Sequence, residues 1–193
     1  MLDIFQEALK TYKIKNIMLS VSPSLVVCSS ARSMLSSGTT YFDSHVPGES
    51  ESTAMEVEQT VVQITQEIVR GMVGLQTNGV DRQFDRVYQT VMTIYAEHRT
   101  QMDQLVNVVN SSDLETTADA FRRVLDEMLD DGQMNCGRIT VMLIFAGRLA
   151  LHCIEREIIS SSDVDRLAEV MGRHLATRLI RNQFCLVRTH FNH

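Results

Sequence analysis

Residues 139–151 form an apolar run broken by a single charge, Arg148. As a helix, this run is apolar on every face and therefore has to be buried on every face. At thirteen residues it falls short of the roughly 20 that a bilayer span requires, so other helices of the chain are expected to wrap it. Ahead of it stand Asp130, Asp131 and Gly132, a loop signal, and Asn135, a good N-cap type. The pattern predicts a helix from about Asn135 to Ile154 or slightly beyond, with Glu155, Arg156 and Glu157 as its solvated exit.

The rest of the chain supplies the wrapping. Val57, Val61, Ile64, Ile68 and Met72 step by three and four, behind a Thr53-to-Glu56 capping-box spacing. Phe84, Val87, Val91 and Ile94 make a second stripe, thickened by Tyr88, Met92 and Tyr95, which loosens near His98. Leu105, Val106, Val108 and Val109 suggest a further short helix. Ser112 and Glu115 form another capping-box spacing, ahead of a stripe at Leu114, Ala118, Phe121, Leu125 and Met128. The chain restarts at Ser160 to Asp163, followed by Val164, Leu167, Met171, Leu175 and Leu179, then by a weaker piece at Phe184, Leu186, Val187 and Phe191. No strand alternation of useful length occurs. The expected fold is all-α, a bundle of about 7–8 helices around one buried hydrophobic helix, over residues 52–193. Residues 1–51 read as a poorly ordered leader with a short amphipathic helix at Leu2, Phe5, Leu9 and Tyr12. The alternative for that leader is a membrane-surface or targeting helix using Lys10, Lys13 and Lys15.

Composition narrows the function. A net charge of −6 does not suit a general nucleic-acid binder, which needs a basic surface. With no Trp and 11 Met, the interior is filled by Leu, Val, Ile and adaptable Met. The four cysteines make no Cys-x-x-Cys pair and no zinc-site spacing, so they read as buried free thiols. Residues 13–31 imitate a signal peptide, but they begin too far in and Pro23 interrupts them. No phosphate loop, His-Glu-x-x-His or Gly-x-Ser-x-Gly is present. The paired acids Asp126/Glu127 and Asp130/Asp131 surround a helix end and read as a solvated face, and His152 reads as a satisfied core or boundary histidine. Neither an enzyme activity nor a cofactor or metal is expected.

The stretch that opens the buried helix resembles the first homology motif of the Bcl-2 family of apoptosis regulators. The family pattern runs through Asp-Gly, one or two spacers, Asn-Trp-Gly-Arg and an apolar helix with Phe-Gly/Ala-Gly. Here it stands as Asp131-Gly132, Gln133-Met134, Asn135-Cys136-Gly137-Arg138, and then Phe145-Ala146-Gly147. Cys136 occupies the usual Trp position. The second motif keeps neither its Trp nor its Gly pair near Arg178-Leu179 or Asn182-Gln183-Phe184, and the third is not cleanly present on the second helix.

The resemblance implies a surface groove that receives an amphipathic death-motif helix from a pro-apoptotic family member, with anchors at about i, i+3, i+4 and i+7 and one Asp. Arg138 would meet that Asp in a bidentate pair, Gly137 would let the ligand backbone approach, and Asn135 would cap the helix. Val124, Met128, Val141 and Phe145 would line the floor, with Met102, Tyr95 and Glu127 completing the groove set. Each of Val124, Met128 and Phe145 is equally readable as plain core, and Arg138 as the partner of Asp130 or Asp131. The function implied is regulation of apoptosis, with a pro-survival sequestering role expected. The alternatives are a pro-apoptotic member acting at the outer mitochondrial membrane and a helical interaction module that has lost groove binding. A cytoplasmic protein is expected, with conditional or peripheral association at the mitochondrial outer membrane, since the sequence ends at Asn192-His193 without an apolar C-terminal anchor.

Overall fold

A computed structural model of the chain describes residues 49–77, 82–132 and 134–190. The expectations for residues 1–48, including the leader helix, lie outside them. Among the described residues, five α-helices and one 3-10 turn follow in order: α1 Glu49–Met72, α2 Arg82–Asn107, α3 Leu114–Met128, α4 Cys136–Glu155, the 3-10 turn Ser161–Asp163, and α5 Val164–His190. No strand occurs among the described residues, and the fold is an all-α bundle.

The hydrophobic run is the mast of that bundle. α4 lies against each of the other four helices, and residues 141–147 are buried without interruption. The helix is longer than the run itself. The stretch Gly137–Glu155 is long and apolar enough to cross a bilayer, contrary to the expectation from thirteen residues, but 78% of its apolar window is buried inside the fold. Burial by its neighbours, rather than shortness, makes it a core helix.

Local signals were legible to within a turn, and the departures have physical causes. α1 begins at Glu49, so the helix is already under way at Thr53 and the Thr53–Glu56 spacing marks no terminus. α2 is two helical segments joined at a kink, where His98 has non-helical backbone angles (φ −116°, ψ 18°), and the expected further helix at 105–109 overlaps the second segment, which runs through Asn107. The loosened pattern near His98 thus marks the joint between two helical segments. The α3 cap is Asp113 rather than Ser112. Its Oδ1 accepts from the Thr116 N–H at 2.8 Å, while the Thr116 hydroxyl accepts from the Asp113 N–H at 3.1 Å. A carboxylate one residue further on outcompetes the serine for the free N–H. α5 runs as one helix where a stripe and a separate terminal piece were expected.

α1 and α5 cross closely at Gly172. A Cβ added at Gly172 would lie 2.8 Å from the Val62 Cα and 3.2 Å from the Thr65 Cβ, so the two backbones meet where α5 has no side chain. At the end of α1, Arg70 pairs with Asp165 at 2.8 Å. Gly147 of α4 faces the Met72 side chain in the same way, but a thioether can swing aside and a backbone cannot. Gly172→Ala is therefore expected to destabilise the fold by about 1–2 kcal/mol, overpacking outweighing the gain in helix propensity, whereas Gly147→Ala stays within about 1 kcal/mol of wild type. Urea denaturation of the two variants checks the difference.

Candidate partner-binding site

The corner between α3 and α4 is built by four local devices. α3 ends at Met128, and the Leu129 N–H donates back to the Asp126 and Leu125 carbonyls. Gly132 then takes φ +68°, a left-handed conformation that favours glycine, and its N–H donates to the Leu129 carbonyl at 2.9 Å. Asn135 caps α4, its Oδ1 accepting from the Arg138 N–H at 2.9 Å. The fourth device is Arg138 itself, which folds back across the turn.

Arg138 is buried, 8% exposed. Its Nη1 donates to the Met128 carbonyl at 3.0 Å, one of the last carbonyls of α3 that lack an intrahelical donor. Its two terminal nitrogens also meet the two oxygens of Asp131, Nη2 to Oδ2 at 2.5 Å and Nη1 to Oδ1. A cation in the first turn of α4 opposes the helix dipole. The Asp131 carboxylate reverses that penalty and holds the guanidinium firmly in its charged form, against the cost of burial. Of the two acids that the sequence left open as partners, the structure selects Asp131.

The remaining groove residues divide. Asn135 is exposed and Gly137 buried beside Arg138. Val124, Val141, Phe145 and Met102 are completely buried and Met128 nearly so, all within one hydrophobic cluster. Phe145 stacks with Phe121 across the α3–α4 contact, ring centroids 6.0 Å apart. In this conformation these side chains are core, and a ligand reaches them only if the helices above them part. Glu127 is half-buried on α3. Tyr95 is half-buried on α2, where burial and the nearby Asp103 carboxylate raise its hydroxyl pKa. That sets it in the charged network of the α2–α4 contact rather than at the Arg138 corner.

That network went unread in the sequence. Arg148, the one charge in the apolar run, donates from Nε to the Asp103 carboxylate at 2.5 Å and from Nη1 to Glu155 at 3.2 Å. A lone arginine in a buried run has to be paired, but a partner 45 residues upstream leaves no local trace. Asp126, one of the paired acids, is bonded to Arg178 of α5, so its carboxylate serves packing. Cys153 is a buried free thiol beside the hydroxyls of Ser111 (3.6 Å) and Thr117 (3.5 Å). Expectations for the side chains of Cys28, Cys136 and Cys185 lie outside the described residues.

His152 departs from the expectation of a satisfied histidine: it is 3% exposed and its Nε2 has no hydrogen-bond partner among the described residues. Burial, reinforced by Arg156 and Arg148, lowers its pKa below 6.5, partly opposed by Glu155 and Asp103. A depressed histidine is neutral in the fold and takes up its proton first when unfolded. Its contribution is complete above pH 6.5 and shrinks as pH falls through that value towards the folded-state pKa. Thermal melts of His152→Phe are expected to lose less stability than wild type as pH is lowered through this window. His174, displaced in the same direction by burial and Arg122, retains its share.

Comparison with known proteins places this architecture in a class. A family model described as apoptosis regulator proteins of the Bcl-2 family matches residues 87–183, about half of the chain. The matched span takes in most of α2, all of α3 and α4 with the Arg138 corner between them, and most of α5. The chain belongs to the Bcl-2 family of apoptosis regulators. In fold it is similar to the zebrafish pro-survival protein NRZ, solved as an NRZ:Bad BH3 complex, with a TM-score of 0.59 and 20% sequence identity over 72% of this chain and 91% of the other. No curated protein matches the sequence significantly.

Proposed function

We propose that this protein is a pro-survival regulator that sequesters amphipathic death-motif helices of pro-apoptotic Bcl-2-family proteins, and that it is not an enzyme. The observation that carries the reading is the state of Arg138. It is a buried guanidinium at the first turn of the central helix, already holding a carboxylate through both terminal nitrogens. A partner Asp needs that same geometry. The likeness in fold to NRZ, whose structure is a complex with the Bad BH3 segment, adds support. A poorly formed third motif on α2 favours sequestering over killing, since a pro-death member usually has to expose its own third motif.

The proposed binding surface is the face of α4 that α2 and α3 cover. Both helices lie on α4 and scarcely touch one another. Parting them gives a ligand helix access to Met102, Val124, Val141 and Phe145 while its Asp meets Arg138. The buried state of those four residues is also what favours a second reading, a bundle that kept the fold and lost its groove. We place the protein in the cytoplasm, with conditional association at the mitochondrial outer membrane.

Calorimetric titration with the Bad BH3 peptide tests the reading. Wild type is expected to bind. Arg138→Ala is expected to weaken binding by roughly 2–5 kcal/mol, because it strands a partner carboxylate at a desolvated interface. Equal affinities would mean that Arg138 does not meet the partner's Asp. Failure to bind any of a panel of death-motif peptides would turn the assignment to the second reading. Cytochrome release from isolated mitochondria on addition of the protein would instead make it a pro-death member.

A further inference from the structure

We infer that Asp131 is an internal competitor for the partner's carboxylate: in the free protein it occupies Arg138, and a death-motif helix binds fully only by displacing it. This rests on the proposed function and specifies how that site is regulated. The pair is asymmetric. The Arg138 side chain is 10% exposed and that of Asp131 is 39% exposed. Arg138 is fixed from within by α4 and by the Met128 carbonyl. Asp131 sits in the turn after α3, next to the left-handed Gly132. The acid, not the base, is therefore the half that can leave.

Displacement is an exchange. One carboxylate leaves the two terminal nitrogens of Arg138 and another arrives, so the count of charge-assisted bonds is conserved and Arg138 is never left buried without a counter-ion. A ligand with a neutral amide at the same place cannot complete that exchange, because it would trade an ionic bidentate pair for a weaker neutral contact. Such a ligand binds with Asp131 still in place and without engaging Arg138. Asp131 thus sets a threshold: it lowers the apparent affinity for carboxylate-bearing helices by the fraction of time it holds Arg138.

The test compares wild type and Asp131→Asn, the near-isosteric neutral variant, using the Bad BH3 peptide and the same peptide with its motif Asp changed to Asn. The variant is expected to melt at a lower temperature when free. It should bind the Asp peptide about fivefold more tightly or better, and show a larger peptide-induced rise in melting temperature. The preference for Asp over Asn in the peptide should widen by a similar factor. A merely structural role for Asp131 would lower the melting temperature without tightening binding. Weakened or unchanged binding of the Asp peptide overturns the inference and leaves the proposed function standing. Absence of binding by both proteins overturns the function and the inference with it.

A measurement on wild type avoids dependence on the variant's folding. The Asp131 carboxyl carbon resonance is expected to shift on saturation with the Asp peptide and to hold its position with the Asn peptide. No shift with the Asp peptide overturns the displacement.

Discussion

Everything in this fold follows from the need to keep α4 out of water. Its central residues, 141–147, are apolar or small around the full circumference and are all buried. At about 25 cal/mol per Å² of apolar surface, no single neighbour could shield such a helix. The answer is a bundle in which α1, α2, α3 and α5 each lay their apolar stripe on it. The bundle in turn forces the close α1–α5 crossing at Gly172 and the pairing of Arg148, the one charge the mast carries.

The same constraint creates the corner at Arg138. A helix buried along its length reaches the surface only at its ends, and the N-terminal end of α4 brings a guanidinium where the helix dipole would rather have an anion. The fold resolves that conflict with the Asn135 cap, the spare Met128 carbonyl and the Asp131 carboxylate. A cation that needs a carboxylate, held at the rim of a hydrophobic cluster, is chemically suited to an amphipathic helix with one Asp. In the proposed function, the local conflict and the recognition chemistry are one feature. On that reading, structural accommodation and partner selection draw on the same few residues, and the exposed half of the pair is where regulation would act.

How far the sequence could be read depended on the range of the interaction. The central helix, its Asn135 cap and the stripes of the surrounding helices rest on contacts within a few residues, and they were legible. Errors at that range were small: the α3 cap fell on Asp113 instead of Ser112, and α1 is already under way at Thr53. The motif around Asn135, Gly137 and Arg138 was legible because its spacing is local too. What was not legible lay across the fold. Arg148 with Asp103, Asp126 with Arg178 and the Nε2 of His152, without a partner among the described residues, depend on how helices distant in sequence are set against each other. The groove residues show the same limit: periodicity marks Val124, Val141 and Phe145 as apolar, and it is equally satisfied by a groove floor and by a core.

The sequence by itself therefore determined an all-α chain, one helix that must be enclosed, and a polar corner at its start with a family resemblance attached. It did so because periodicity, capping and turn chemistry act over one or two turns of chain. Only the tertiary structure decided that Asp131 rather than Asp130 holds Arg138, and that the expected groove floor is packed shut in the free protein. It alone showed that α4, long enough to span a bilayer, is a core helix. Each of those outcomes depends on what lies opposite a side chain, and that is set by the packing of helices far apart in sequence.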